Sequence, residues 1–151
     1  MLREKNMKSV LFVCLGNICR SPACEGVARK MYGNNVKFDS AGTGNYHVGE
    51  SPDYRSISAC KKHGVDISSH RARQVNTSDW KNFDLLVALD NSVFNNLKRR
   101  RPSDARAAVA LFDEQNGGVD DPWYGDASGF DVMYEQIERV MPDFLKQHNI
   151  I

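Results

Sequence analysis

The feature that most constrains the fold is the run Lys8-Ser-Val-Leu-Phe-Val-Cys14, which passes through Leu15 and stops at Gly16-Asn17. It is β-branched and aromatic in character and too short to be a core helix. It lacks the alternation of a strand with one wet face, so it reads as a strand buried on both faces. A strand covered on both sides needs a layer of helices above and below it. The rest of the chain supplies them. Strand-like segments at Val36–Ser40, Asp84–Leu89 and Ala108–Phe112 alternate with helical patterns at Pro22–Tyr32, Pro52–His63, Ser92–Arg100 and Phe130–His148. Gly33 and Gly64 stand where two of those helices should stop. Glu114–Gly129 reads as a long polar loop. The pattern predicts an α/β domain with a parallel sheet and helices on both faces. Ligands of such sheets bind at the carboxyl ends of the strands, near a topological switch point.

A chain of 151 residues suits one domain. Residues 1–6 read as a loose tail, with Met7 as an alternative start, and 7–151 as the single domain. The charged opening followed by an apolar run has the outline of a signal peptide, but no small-residue cleavage site follows it. A formal net charge of +1 argues against a general nucleic-acid or membrane-surface binder. No segment is long and apolar enough for a membrane helix. The basic run Lys98–Arg101 reads as a solvated helix end. The four cysteines, Cys14, Cys19, Cys24 and Cys60, show neither CxxC nor zinc spacing. They are read as free thiols in a reducing compartment, the cytoplasm, with no metal and no cofactor.

The chemistry concentrates where the first strand ends, in Cys14-Leu-Gly-Asn-Ile-Cys-Arg-Ser-Pro22. Gly16 and Asn17 allow a tight curl that aims several backbone N–H groups at one point. Ser21-Pro22 looks like a helix start, with Ser as the cap, so a positive dipole end joins the same focus. Arg20 adds a planar fork matched to two oxygens of a phosphate. This is an oxyanion cradle with a cysteine at its base, and such surroundings favour the nucleophilic thiolate. Ser21 can donate a hydrogen bond to the sulfur. A phosphate monoester also needs its leaving group protonated, and the loop holds no acid. The best candidate lies in Asp120-Asp-Pro-Trp-Tyr-Gly125, where two adjacent carboxylates disfavour each other's charge and Pro122 and Gly125 make a turn.

These residues resemble the phosphate-binding loop of the low-molecular-weight protein tyrosine phosphatases, and the similarity runs through nearly the whole chain. The resemblance implies a flavodoxin-like domain with a four-stranded parallel sheet. It implies a two-step, metal-free hydrolysis of protein phosphotyrosine and small aryl phosphates, in which Cys14 takes the phosphoryl group and water releases it. Leu15, Gly16, Asn17, Ile18, Cys19 and Ser21 would complete the phosphate loop around Cys14 and Arg20. The family's Asp-Pro-aromatic-Tyr-Gly pattern selects Asp121 over Asp120 as the acid. Trp123 stands where many relatives have the first of two tyrosines, which puts regulation through a tyrosine pair in doubt. Trp123, Tyr124 and Tyr46 would wall in the substrate ring. Ser40 and His70 resemble residues that hold the loop asparagine, here Asn17, and Asp90 falls near the same rim. Cys19 would be a redox partner that forms a reversible disulfide with Cys14. Implied partners are phosphotyrosine proteins, with phosphate and vanadate as inhibitors and a monomer or weak dimer as the working state.

Two enzyme classes on related loops compete with this reading. A thioredoxin-coupled arsenate reductase needs further cysteines to relay a disulfide, and none follows Cys60. Protein arginine phosphatases carry Thr where this chain has Ile18, and a branched apolar side chain there suits an aromatic ring better.

Overall fold

The computed structural model describes residues 7–151; the expected tail at 1–6 lies outside the described residues. Four strands, β1 (Lys8–Cys14), β2 (Val36–Gly42), β3 (Leu85–Ala88) and β4 (Ala108–Leu111), form one parallel sheet in the order β2-β1-β3-β4. The helices are α1 (Arg20–Tyr32), α2 (Tyr54–Lys61), α3 (Asp79–Asn82), α4 (Asn91–Arg100) and α5 (Ala127–Gln147). β1 is central, with β2 on one side and β3 on the other, so the chain reverses its direction of travel across the sheet at β1. The loop after β1 therefore opens at the switch point.

The period-2 alternation of β1 splits its side chains between two cores. Val10, Phe12 and Cys14 pack into a core with α1, α2 and α5, contributed by Ala23, Val27, Ala59, Phe130, Ile137 and Met141. Leu11 and Val13 enter the opposite core with Trp80, Phe83, Leu86, Val93 and Leu97. Cys14 thus ends the strand on the α1 side.

Several boundaries shift, each for a local reason. The first helix begins at Arg20, two residues before Pro22, with Cys19 at the N-cap position and no side-chain cap. Ser21 is therefore a first-turn residue and not the expected cap. α2 starts later than Pro52 because Asp53 caps it, its side chain accepting from the Arg55 N–H, and it ends at Lys61, two residues before His63. α3 was not foreseen; its four residues, Asp-Trp-Lys-Asn, are too few to show a period. The 114–129 loop holds two 3₁₀ turns, Glu114–Asn116 and Pro122–Tyr124. α5 starts inside that expected loop, at Ala127, because Asp126 caps it by accepting from Ser128 N–H.

Candidate active site

The segment from Cys14 to Ser21 wraps tightly over the end of β1. The left-handed position expected of the Gly16-Asn17 pair falls on Asn17, at φ 59°. Gly16 keeps a negative φ, and a Cβ there would sit 3.0 Å from His47 Cδ2, a tight contact that the His47 ring would have to give way to. Beneath the loop, Gly42 at the end of β2 has no room for a side chain, since its Cβ would lie 2.7 Å from the Leu15 carbonyl oxygen. The next residues fasten the loop from below, with Thr43 N–H donating to Cys14 O and Gly44 N–H to Leu15 O, both at 2.9 Å.

Asn17 is fully buried and organises the turn. Its amide Nδ2 donates to Ser21 Oγ at 2.8 Å and to Ser40 Oγ at 3.1 Å. Its Oδ1 accepts from the Arg73 N–H at 3.0 Å and lies 3.0 Å from His70 Nε2. Both supporting residues expected from the sequence, Ser40 and His70, are therefore in contact with Asn17. Ser40 Oγ in turn donates a hydrogen bond to the buried Glu25 Oε1 at 2.6 Å. Burial pushes the Glu25 carboxyl up from its ordinary range.

The Cys14 sulfur lies 3.0 Å from Ser21 Oγ and accepts from Asn17 N–H at 3.3 Å. Because Ser21 Oγ already accepts from Asn17, its hydroxyl proton is free to point at the sulfur, the nearer of its two remaining neighbours; Ala41 O is at 3.5 Å. This explains why Ser21 does not cap the helix.

Arg20 is buried and its charge is balanced on two sides. Nη1 donates to Asp90 Oδ2 at 2.7 Å and to Val119 O at 2.9 Å, and Nη2 lies 3.7 Å from Asp121 Oδ2. Its Nε is buried with no hydrogen-bond partner among the described residues. An orphaned buried donor is costly, about 1–3 kcal/mol, and marks a place where an acceptor belongs.

A cavity of about 440 Å³ joins the candidate residues. It is lined by Cys14, Leu15, Gly16, Ile18, Cys19 and Arg20 from the loop, by Tyr46 and His47, and by Asp121, Trp123 and Tyr124. Asp120 does not line it. The Asp121 carboxylate is oriented by Trp123 N–H, which donates to Oδ1 at 3.0 Å. Tyr46, Tyr124 and Trp123 are exposed, at 70%, 90% and 39%. Cys19 is buried beside the cavity, and burial together with the Cys14 sulfur pushes its thiol far up.

Sequence reasoning missed three participants. His47 lies with its ring 5.7 Å from that of Trp123. Arg55 donates to the Trp123 and Gly125 carbonyls from α2. Glu25, which no sequence motif singles out, is buried under the loop support and accepts from Ser40. Only the aromatic Tyr46 beside His47, and the Asp-x-Arg at the start of α2, hinted at the first two.

The sequence profile of the family described as low molecular weight phosphotyrosine protein phosphatase matches residues 9–149. A low molecular weight phosphotyrosine protein phosphatase of Schizosaccharomyces pombe is 45% identical over 94% of this chain and 97% of its own. The solution structure of the low molecular weight protein tyrosine phosphatase from Tritrichomonas foetus is 49% identical, with a TM-score of 0.83 over 96% of this chain and 98% of its own. A Drosophila arginine phosphatase is more distant in sequence, at 29% identity, with a TM-score of 0.84 over 94% of this chain and 98% of its own. By sequence along nearly its whole length, and by fold, the chain belongs to the low molecular weight phosphotyrosine protein phosphatase family.

Proposed function

We propose that the chain hydrolyses protein phosphotyrosine, and small aryl phosphates that mimic it, through a cysteinyl-phosphate on Cys14. The observation that carries this reading is the convergence of Cys14, Arg20 and Asp121 on one cavity, although Asp121 is about a hundred residues further along the chain than the other two. In the first step Cys14 Sγ attacks phosphorus. The S–P bond forms, the P–O bond to the tyrosine breaks, and the departing oxygen takes a proton from Asp121. Loop N–H groups and the Arg20 guanidinium, with its unpartnered Nε, hold the three non-bridging oxygens. In the second step the Asp121 carboxylate takes a proton from water, whose oxygen attacks phosphorus. The S–P bond breaks, phosphate leaves, and Ser21 Oγ–H steadies the thiolate.

Tyr46, Trp123, Tyr124 and the buried Ile18 offer an apolar, aromatic wall to a phenyl ring. Phosphate and vanadate occupy the same cradle and compete. When a peroxide oxidises Cys14 to its sulfenic acid, the thiol of Cys19, buried at the cavity, condenses with it to a disulfide with loss of water, which protects Cys14 from irreversible oxidation. The test is phosphate release from a phosphotyrosine peptide, in EDTA with reductant, by the wild-type chain and by Cys14→Ser. The expected result is turnover that disappears in the variant. A phosphoarginine peptide run in parallel should be turned over far more slowly; comparable rates would replace the aryl reading with an arginine phosphatase.

A further inference from the structure

We infer that Arg55 is a positioning residue that sets the Asp121 carboxyl over the phosphate cradle, by tying the acid segment and the cradle to the same helical turn. The inference rests on the assignment of Asp121 as the acid. The segment is anchored at its ends. Upstream, Val119 N–H donates to Leu89 O at 2.7 Å, and Gln136 Nε2 donates to Gly118 O at 3.0 Å. Downstream, the Asp126 cap starts α5. Between these anchors, Asp121, Trp123, Tyr124 and Gly125 are exposed. Pro122 is buried and Arg20 Nη2 lies 3.7 Å from Asp121 Oδ2, but neither gives the exposed Trp123–Gly125 backbone, whose first N–H orients the carboxyl, a reason to stay in place.

Arg55 provides that reason. Its Nη1 donates to Gly125 O at 3.1 Å and its Nη2 to Trp123 O at 3.3 Å. Among the described residues, no other side chain from outside the segment hydrogen-bonds Trp123, Tyr124 or Gly125. Trp123 is also the residue whose N–H orients Asp121 Oδ1. The guanidinium is itself immobilised. Nε and Nη2 grip the Asp53 carboxylate at 3.0 and 2.9 Å, and its Cζ lies 4.6 Å from the Phe130 ring centroid and 5.7 Å from that of Trp123. Only arginine has a fork that can serve a carboxylate on one edge and two carbonyls on another.

The other end of the connection is the cradle. Asp53 N–H donates to Ile18 O at 2.9 Å, and Ser56 Oγ donates to Cys19 O at 3.0 Å. The first turn of α2 therefore holds two carbonyls of the phosphate loop and, through Arg55, two carbonyls of the acid segment. The spacing between nucleophile and acid is set through that turn. The Arg55–Asp53 pair is largely covered, at 20% and 7% side-chain exposure, so it contributes to stability as well as to the geometry of proton transfer, and the melting temperature separates the two.

The experiment compares Arg55→Met and Arg55→Lys with Asp121→Asn and with the Arg55→Met/Asp121→Asn double variant. The readout is kcat/KM on nitrophenyl phosphate, whose leaving group needs little protonation, and on phenyl phosphate, whose leaving group needs it. Melting temperature and the rate of Cys14 alkylation report on an intact fold and cradle. Since misplacement by about 1 Å can cost up to a hundredfold in rate, Arg55→Met should lose about tenfold on phenyl phosphate and under about twofold on nitrophenyl phosphate. Arg55→Lys, keeping the charge without the fork, should fall between. The double variant should be no slower than Asp121→Asn alone. Equal losses on both substrates, or an additive loss in the double variant, would overturn the inference while leaving the acid in place. If Asp121→Asn itself leaves the ratio between the two substrates unchanged, the acid assignment falls and the inference falls with it.

Discussion

Removing the Asn17 side chain should unfold the site before it affects anything else. Asn17 sits in a left-handed conformation at φ 59°, fully buried, with four side-chain hydrogen bonds to Ser21, Ser40, His70 and Arg73. At about 1 kcal/mol net per bond, Asn17→Gly should cost about 4 kcal/mol. Alanine loses the same bonds and must also adopt the left-handed conformation, which adds about 1 kcal/mol, for a total of about 5 kcal/mol. Native domains have only about 5–15 kcal/mol in hand. In a domain of this size each 1 kcal/mol moves the melting temperature by about 2–4 °C, so the glycine variant should melt about 8–16 °C lower. The assay is urea unfolding of both variants beside wild type, with the activity of the folded fraction measured at low temperature. Activity should fall too, because a released Ser21 hydroxyl can turn towards Ala41 O and leave the sulfur. A loss under about 1 kcal/mol for Asn17→Gly would refute the claim that these bonds hold the loop.

Gly42→Ala should lower activity more than stability, because its Cβ would press on Leu15 O at 2.7 Å and displace the phosphate loop; steady-state kinetics beside thermal melts would show it. Iodoacetamide at pH 8 should label native protein at Cys14 alone. Burial pushes the Cys60 thiol up to about 12 and pushes the Cys19 and Cys24 thiols up as well, and peptide mapping would reveal any second site. The hydrogen bonds from Arg55 hold the Asp53 carboxyl below its ordinary value of 3.8. The stability this contributes is fully present above that value and is lost as pH falls through the lower folded-state value. Asp53→Asn should therefore flatten the acid limb of stability against pH, measured by urea unfolding between about pH 5 and pH 2.

The strands and the cradle were legible because each announces itself locally. β1 is apolar on both faces, and Cys14, Arg20 and Ser21 fall on one continuous loop whose length and turn residues admit few conformations. That Asp121 lines the same cavity as Cys14 was foreseeable only from chemical need and resemblance, since nothing in the sequence links residues 14 and 121. Ser21 was misjudged as a cap because capping is a local preference, whereas its real partners, Asn17 and the sulfur, are brought in by the curl of the loop. Glu25 was passed over because a mid-helix glutamate normally faces water; here Ser40 and Arg29 cover it. Arg55 was invisible for the same reason. Its partners Trp123, Gly125 and Phe130 lie far along the chain and meet it only when α5 packs beside α2.

The central claim is a covalent phosphoryl group on Cys14. The direct measurement is rapid acid quenching of the enzyme during turnover of an aryl phosphate, followed by intact-mass analysis and peptide mapping. The account predicts a transient gain of one phosphoryl group on the peptide carrying Cys14, absent in Cys14→Ser and longer-lived in Asp121→Asn, which lacks the base for the second step. Turnover with no phosphoryl group on Cys14 at any time, or a phosphoryl group found on another side chain, would contradict it.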